Sequence, residues 1–269
     1  MNKIQKMKRI FLLIPVLFLI YGNSLVAQND DSVSLKHKYN AHQYLHEGGR
    51  FLTQPLRWKA INWVSLALVA GGTYGIYTQD QKLYNVALKN PGHSKSPVLF
   101  VGKQWGGFFF PPALTLTLYI HGLVRNNSTT KRIGFELLEA ISYSELVSFP
   151  IKAIAGRSRP MFNHGANAFH PFTAFNSPRN SFPAGHVDDA FAVSTVLAMN
   201  FRSPVLKVLA YVPAAVCVTE RIYNGLHWPS DCFFGAALGT FAGIYFAKQH
   251  KNKETKVQVS SIYPLMLSF

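Results

Sequence analysis

Three separated segments hold the side chains of this chain that could do chemistry. The first runs Lys152-Ala-Ile-Ala-Gly-Arg157-Ser-Arg159-Pro160, the second Ser181-Phe-Pro183-Ala184-Gly185-His186, and the third Arg221-Ile-Tyr-Asn-Gly-Leu-His227-Trp-Pro-Ser-Asp231. Lys152, Arg159 and Arg221 are three fixed cations, which suit a dianionic phosphate. His186 and His227 suit a nucleophile and an acid/base. His227 and Asp231 are four apart, so they share a helical face if a helix begins near Trp228. Pro229 is tolerated in a first helical turn, which does not need its missing N–H. A carboxylate beside an imidazole fixes the tautomer, and the free ring nitrogen can then attack phosphorus. Each segment alone has a plainer reading: a surface His with an N-cap Asp, a Pro-Gly turn before a helix, or a basic helix end in solvent.

The elements around these residues must position them. The second segment precedes an apolar run, Val187 to Phe201, with Asp188 and Asp189 in its first turn, where acids suit the helix dipole. Backbone N–H groups near Gly185 and His186 then form an anion site. Gly185 lets the backbone approach a phosphate, and His186 is placed to protonate a leaving oxygen. Arg159-Pro160 stops the preceding helix and holds the guanidinium at a loop mouth, where its fork binds two phosphate oxygens. Arg157 either substitutes for Arg159 or assists it.

The three ordered segments resemble the signature of the type 2 phosphatidic acid phosphatase superfamily, which also includes class A acid phosphatases and vanadium haloperoxidases. Lys152, Arg159 and Pro160 match the first part of that pattern. Pro183, Gly185 and His186 match the second, and Arg221, His227 and Asp231 the third. The resemblance covers about residues 60–247. Two positions depart from it: Ala184 and Glu220 stand where the family has serine. One lost hydrogen bond to a charged group costs about 1.5–3 kcal/mol, so weaker or altered phosphate affinity is expected. The resemblance implies that His227 forms a phosphohistidine and Asp231 orients it. It implies that His186 protonates the leaving alcohol and then activates water, while Lys152, Arg159 and Arg221 hold the equatorial oxygens. No cofactor and no metal is implied, and the sequence offers no carboxylate cluster suggesting Mg²⁺ or Zn²⁺ ligation.

The chain opens with Lys3, Lys6, Lys8 and Arg9, an apolar run from Ile10 to Tyr21, and a small-residue stretch ending at Ala27. This reads as a secretory signal peptide over residues 1–27, the alternative being an uncleaved anchor. Residues 28–59 read as a polar arm, 60–247 as the phosphatase-like domain and 248–269 as a basic tail. Within that tail, Val257 to Phe269 alternates loosely and reads as a short strand. Net charge is +15, which favours anionic partners such as phospholipid headgroups. Nucleic acid is not expected, because no aromatic-basic motif accompanies the charge. Cys217 and Cys232 both lie in apolar runs and read as buried free thiols.

The fold expected is all-α, a bundle of about six core helices, membrane-embedded or membrane-associated. Ala60 to Thr78 and Gln104 to Val124 are long and uncharged enough to span. The helix near Gly134 to Lys152 carries Glu136, Glu139 and Glu145, so it is shielded in the bundle or not in lipid. Gly235, Gly239 and Gly243 permit close helix packing in a last helix. Mean hydropathy is only +0.08, which keeps a soluble periplasmic domain open as the alternative. Helix parity places the active site outside the cytoplasm, in the cell envelope. Arg125, Lys131 and Arg132 conflict with the positive-inside rule in that topology. The expected activity is metal-independent hydrolysis of a phosphomonoester or pyrophosphate, on a phosphorylated lipid. The alternatives are a non-catalytic phosphate- or lipid-binding membrane protein and a vanadate-dependent haloperoxidase.

Overall fold

The structure is a computed structural model that describes residues 39–88, 96–173 and 177–266. The expected signal peptide lies outside these residues. The helices are α1 (Ala41–Leu52), α2 (Ala60–Tyr77), α3 (Asp80–Leu88), α4 (Pro97–Trp105), α5 (Phe110–Val124), α6 (Ser128–Ala155), α7 (Gly185–Asn200), α8 (Pro204–Leu209), α9 (Val212–Tyr223) and α10 (Pro229–Met266). Among the described residues, pairing outside helices is limited to one bridge between Arg157 and Phe169. The protein is an all-α bundle.

Helix α6 is the central element. Asn127 caps its start, accepting from the Thr130 N–H at 3.0 Å. Gly156 ends it in the left-handed region at φ 53°, and its N–H donates to the Lys152 carbonyl at 3.0 Å. A Cβ at Gly156 would stand 1.7 Å from the His170 carbonyl oxygen, so no larger residue fits there. This stop leaves Lys152 in the last helical turn and puts Arg157 and Arg159 on the following loop.

Helices α5, α7 and α10 pack on α6. Leu114, Leu118, Ile133, Leu137, Val193, Val196 and Phe246 form the core between them. Glu136 and Glu139 are fully buried in this bundle, which settles the choice left open for that helix. Lys131 and Arg132 are buried too, and Arg132 donates to Glu136 at 2.8 Å. They are therefore not loop charges of the kind the positive-inside rule counts. Helix α10 crosses α7 along its glycine stripe. Cβ atoms at Gly235, Gly239 and Gly243 would fall 2.6, 2.1 and 2.7 Å from atoms of Ala184, Asp188 and Thr195. The same close approach buries Cys217 and Cys232 as free thiols.

Three expectations change. The segment from Gln104 to Val124 is not one helix: α4 and α5 meet at 59° across Gly106-Gly107. The cause is tertiary, since a Cβ at Gly106 would stand 1.8 Å from the His186 carbonyl oxygen. The apolar run from Pro204 to Thr219, which reads in the sequence as one helix, is likewise broken, at Ala210-Tyr211, ahead of Pro213. The expected strand at Val257 to Phe269 is instead the end of α10, helical to Met266. Lys248, Gln249, Lys251, Lys253, Glu254 and Lys256, all good helix formers, carry the helix on past Ala247.

By length and composition Pro229–Lys251 could cross a membrane, as could the bent α4–α5 pair if taken as one span. Helix α2 buries none of its residues and exposes Ile61, Trp63, Val64, Leu68 and Tyr74.

Candidate active site

Helix α9 ends at Asn224, and Gly225 turns the chain at φ 64°. His227 follows on this turn, and α10 starts two residues later. Asp231 lies in its first turn, where its Oδ2 accepts from the Trp228 N–H at 2.9 Å, the return half of a capping box.

His227 is buried, and its Nδ1 lies 2.6 Å from the Ser181 carbonyl oxygen. A carbonyl only accepts, so Nδ1 carries the proton and Nε2 keeps its lone pair. Asp231 does not make this bond. Its Oδ2 is 3.9 Å from Nδ1, beyond hydrogen-bond range. The direct orienting role expected of Asp231 is therefore corrected to an indirect one. Its carboxylate receives the Ser181 hydroxyl at 2.5 Å and Arg157 Nη1 at 2.5 Å. Asp231 fixes the Ser181 segment, and the Ser181 carbonyl fixes the imidazole.

Arg157 is neither a substitute for Arg159 nor a phosphate ligand. It is 1% exposed and fully engaged. Nη2 donates to Asp80 Oδ2 at 2.7 Å, Nη1 also donates to Ser230 Oγ at 2.8 Å, and Nε and Nη2 donate to the Ala166 carbonyl. Tyr77, Phe169 and Trp228 ring it at 5.0–5.5 Å. Asp80, wholly buried at the start of α3, also accepts from the Ser230 N–H at 2.9 Å and Ser230 Oγ at 2.5 Å. Nothing in the sequence singles out Asp80. It lies 150 residues from Ser230 and in no recognisable pattern.

The cations act on both histidines. Burial, then Arg159 and Lys152, holds His227 well below the ordinary histidine range. Burial, then Arg221, Lys152 and Arg159, lowers His186 to about 4. Both rings are thus neutral at pH 7 before an anion arrives. Arg159 donates Nε to Asn180 Oδ1 at 2.8 Å, which orients its fork. Arg221 pairs through Nε with Glu220, whose other oxygen accepts from Asn224 at 2.8 Å. This gives Glu220 its role: it braces Arg221. The buried Nη2 of Arg221 has no hydrogen-bond partner, so one donor of the cage is unspent.

The second segment departs from expectation in one respect. Helix α7 does begin at Gly185, which puts His186 in its first turn. The space of the missing Gly185 side chain, however, is taken by Glu145: a Cβ there would stand 2.5 Å from Oε1. Gly185 makes room for that carboxylate, rather than for a phosphate as expected. Ala184 is the N-cap residue of α7, fully buried and with no side-chain cap.

Residues 133–255 match the PAP2 superfamily. The match covers a little under half of the chain. A lipid A 1-phosphatase of Porphyromonas gingivalis is 36% identical over 85 residues, 31% of this chain and 19% of that protein. A lipid A 4'-phosphatase of Bacteroides thetaiotaomicron is 24% identical over 165 residues, 59% of this chain and 72% of that protein. Against the first, the chain spans about a fifth of the relative's length. Among solved structures, a transmembrane PAP2-type phosphatidylglycerolphosphate phosphatase from Bacillus subtilis superposes with TM-score 0.53. It is 18% identical and covers 71% of this chain and 94% of its own. The helical PAP2 fold is common to both. The matched residues include Lys152, Arg159, His186, Arg221, His227 and Asp231, whereas Asp80 lies outside the match.

Proposed function

We propose that the protein is a phosphatase acting on a phosphorylated lipid of the cell envelope, through a phosphohistidine on His227. The observation that carries this reading is the neutral His227 pinned through Nδ1 to the Ser181 carbonyl, beside three cations of which Arg221 keeps an unspent donor. Nε2 attacks phosphorus, forming a P–N bond as the P–O bond to the leaving alcohol breaks. His186, which takes up a proton when the phosphate dianion offsets the cations around it, gives that oxygen its proton. It then takes a proton from water, whose oxygen attacks phosphorus, breaks the P–N bond and releases phosphate. Lys152, Arg159 and Arg221 hold the equatorial oxygens in both steps. Each step is complete without a metal ion.

The names of the two relatives support lipid A as the first substrate to try, with its 1- or 4'-phosphate as the target. The apolar exposed face of α2 and the Pro229–Lys251 helix support a membrane location. The signal-like N-terminus supports an active site outside the cytoplasm. Purified protein should release phosphate from such lipids in EDTA, lose activity to vanadate, and yield an acid-labile phosphoprotein when quenched. Restoration of EDTA-treated protein only by a divalent metal would overturn the mechanism. A lone cysteine placed in the Pro160–Pro183 loop, with Cys217 and Cys232 removed, should react with a membrane-impermeant thiol reagent. Reaction only after the inner membrane is broken would put the site in the cytoplasm.

A further inference from the structure

A cavity of about 500 Å³ lies between α2, the end of α6, the loop after it and the start of α10. Its walls include Ala70, Thr73 and Tyr74 of α2, Ile154 of α6, and Phe182 and Phe234. Drug-sized ligands occupy pockets of about 300–1,000 Å³, so the space is large enough for an extended organic group. Its chemistry is selective. The polar lining groups Arg157 and Ser230 are already committed to Asp80 and Asp231. Thr73 Oγ1 is spent on the Val69 carbonyl, which leaves the Tyr74 and Tyr77 hydroxyls in a lining that is otherwise mostly apolar.

Three of its walls are sequence neighbours of site residues. Ile154 and Ala155 stand two and three residues beyond Lys152. Phe182 follows Ser181, whose carbonyl holds His227. Ser230 precedes Asp231. Phe169, on the loop after α6, is among the lining residues. The α2 wall buries no residue and is apolar over its outer face, so the cavity is bounded by a helix suited to lipid.

We infer that this cavity seats one acyl chain of the substrate while its phosphate sits in the Lys152–Arg159–Arg221 cage. The assignment rests on the lipid phosphatase reading. Each methylene moved from water into such a space is worth roughly fourfold in affinity, so the cavity sets chain-length preference through KM.

The test fills the cavity from the wall remote from the catalytic residues. Thr73→Trp and, separately, Ala70→Trp should raise KM for dipalmitoyl phosphatidic acid in detergent micelles by about tenfold or more. For dibutyryl phosphatidic acid, which lacks the reach, KM should stay within about twofold. Equal effects on both lipids, or none on either, would overturn the assignment. A second measurement does not depend on turnover. Phosphatidic acid carrying a mid-chain diazirine should cross-link to Thr73, Tyr74 or Phe234. Labelling confined to other helices sinks the cavity even in an active enzyme. Labelling at these residues without phosphate release from any lipid sinks the phosphatase reading and leaves the acyl site standing. Labelling that appears only after residues 1–38 are removed would show that the chain's own N-terminus is the occupant, and would overturn the assignment.

Discussion

Ser181 and His227 are joined by one hydrogen bond of 2.6 Å from imidazole Nδ1 to a backbone carbonyl, while the Ser181 hydroxyl reaches Asp231 at 2.5 Å. The link between carboxylate and imidazole therefore passes through a serine. Ser181→Ala keeps the carbonyl and loses only the hydroxyl. Its expected cost is that of one hydrogen bond to a charged group, about 1.5–3 kcal/mol, or roughly 10- to 150-fold in kcat. His227→Ala should abolish turnover with the fold intact. Steady-state kinetics beside circular dichroism separate the two, and a Ser181→Ala enzyme with parental kcat would cut Ser181 from the relay.

Asp80 and Arg157 form a buried pair that must act together. Removing one partner of such a pair typically costs about 3–5 kcal/mol, because the other charge stays buried and alone. Asp80→Ala and Arg157→Ala should each lower the urea midpoint of unfolding by a comparable amount. The double variant should be less destabilised than the two effects added. Strict additivity in the double-mutant cycle would show that the pair is not coupled.

His186, lowered to about 4 by burial and by Arg221, Lys152 and Arg159, should respond to an anion in the cage. A bound dianion offsets those three cations and raises the imidazole pKa. A group whose pKa rises on binding takes up a proton, so binding strengthens as pH falls through the window above 4. Sulfate, which does not titrate between pH 5 and 8, should bind more tightly at pH 5 than at pH 8, with proton uptake in calorimetry. His186→Gln should flatten that dependence. A flat profile in the parent protein would mean that the anion does not sit near His186.

Ala184→Ser tests what the missing hydroxyl would do. As the N-cap of α7, a serine there is expected to stabilise by about 0.5–2 kcal/mol. If the hydroxyl instead faces phosphate, vanadate inhibition tightens by roughly fivefold, the equivalent of about 1 kcal/mol. A raised midpoint of thermal unfolding with unchanged inhibition assigns the position to the helix cap.

The three motifs were legible in the sequence because each is a short contiguous run whose residue types are chemically specific. The long helices were legible from their apolar lengths. What stayed hidden is tertiary. The Ser181 carbonyl is a backbone group, and a backbone group has no sequence signature. Asp80 is an ordinary acid at a helix start until α10 and the Arg157 loop close over it. The break at Gly106 exists because the His186 carbonyl presses there, and no local pattern encodes a neighbour 80 residues away. Glu145 fills the space at Gly185 for the same kind of reason. The helical end of α10 was readable from its Lys, Glu and Gln content, but loose alternation masked it.

Asp80 begins α3 three residues after α2 ends at Tyr77. His227 is thus braced through Arg157, Asp231 and Ser181 by a carboxylate whose placement depends on α2 being docked. With α2 unseated, Arg157 is short of one partner and the Ser181 carbonyl that holds His227 loses part of its support. Maturation of the site is in this way tied to completion of the bundle.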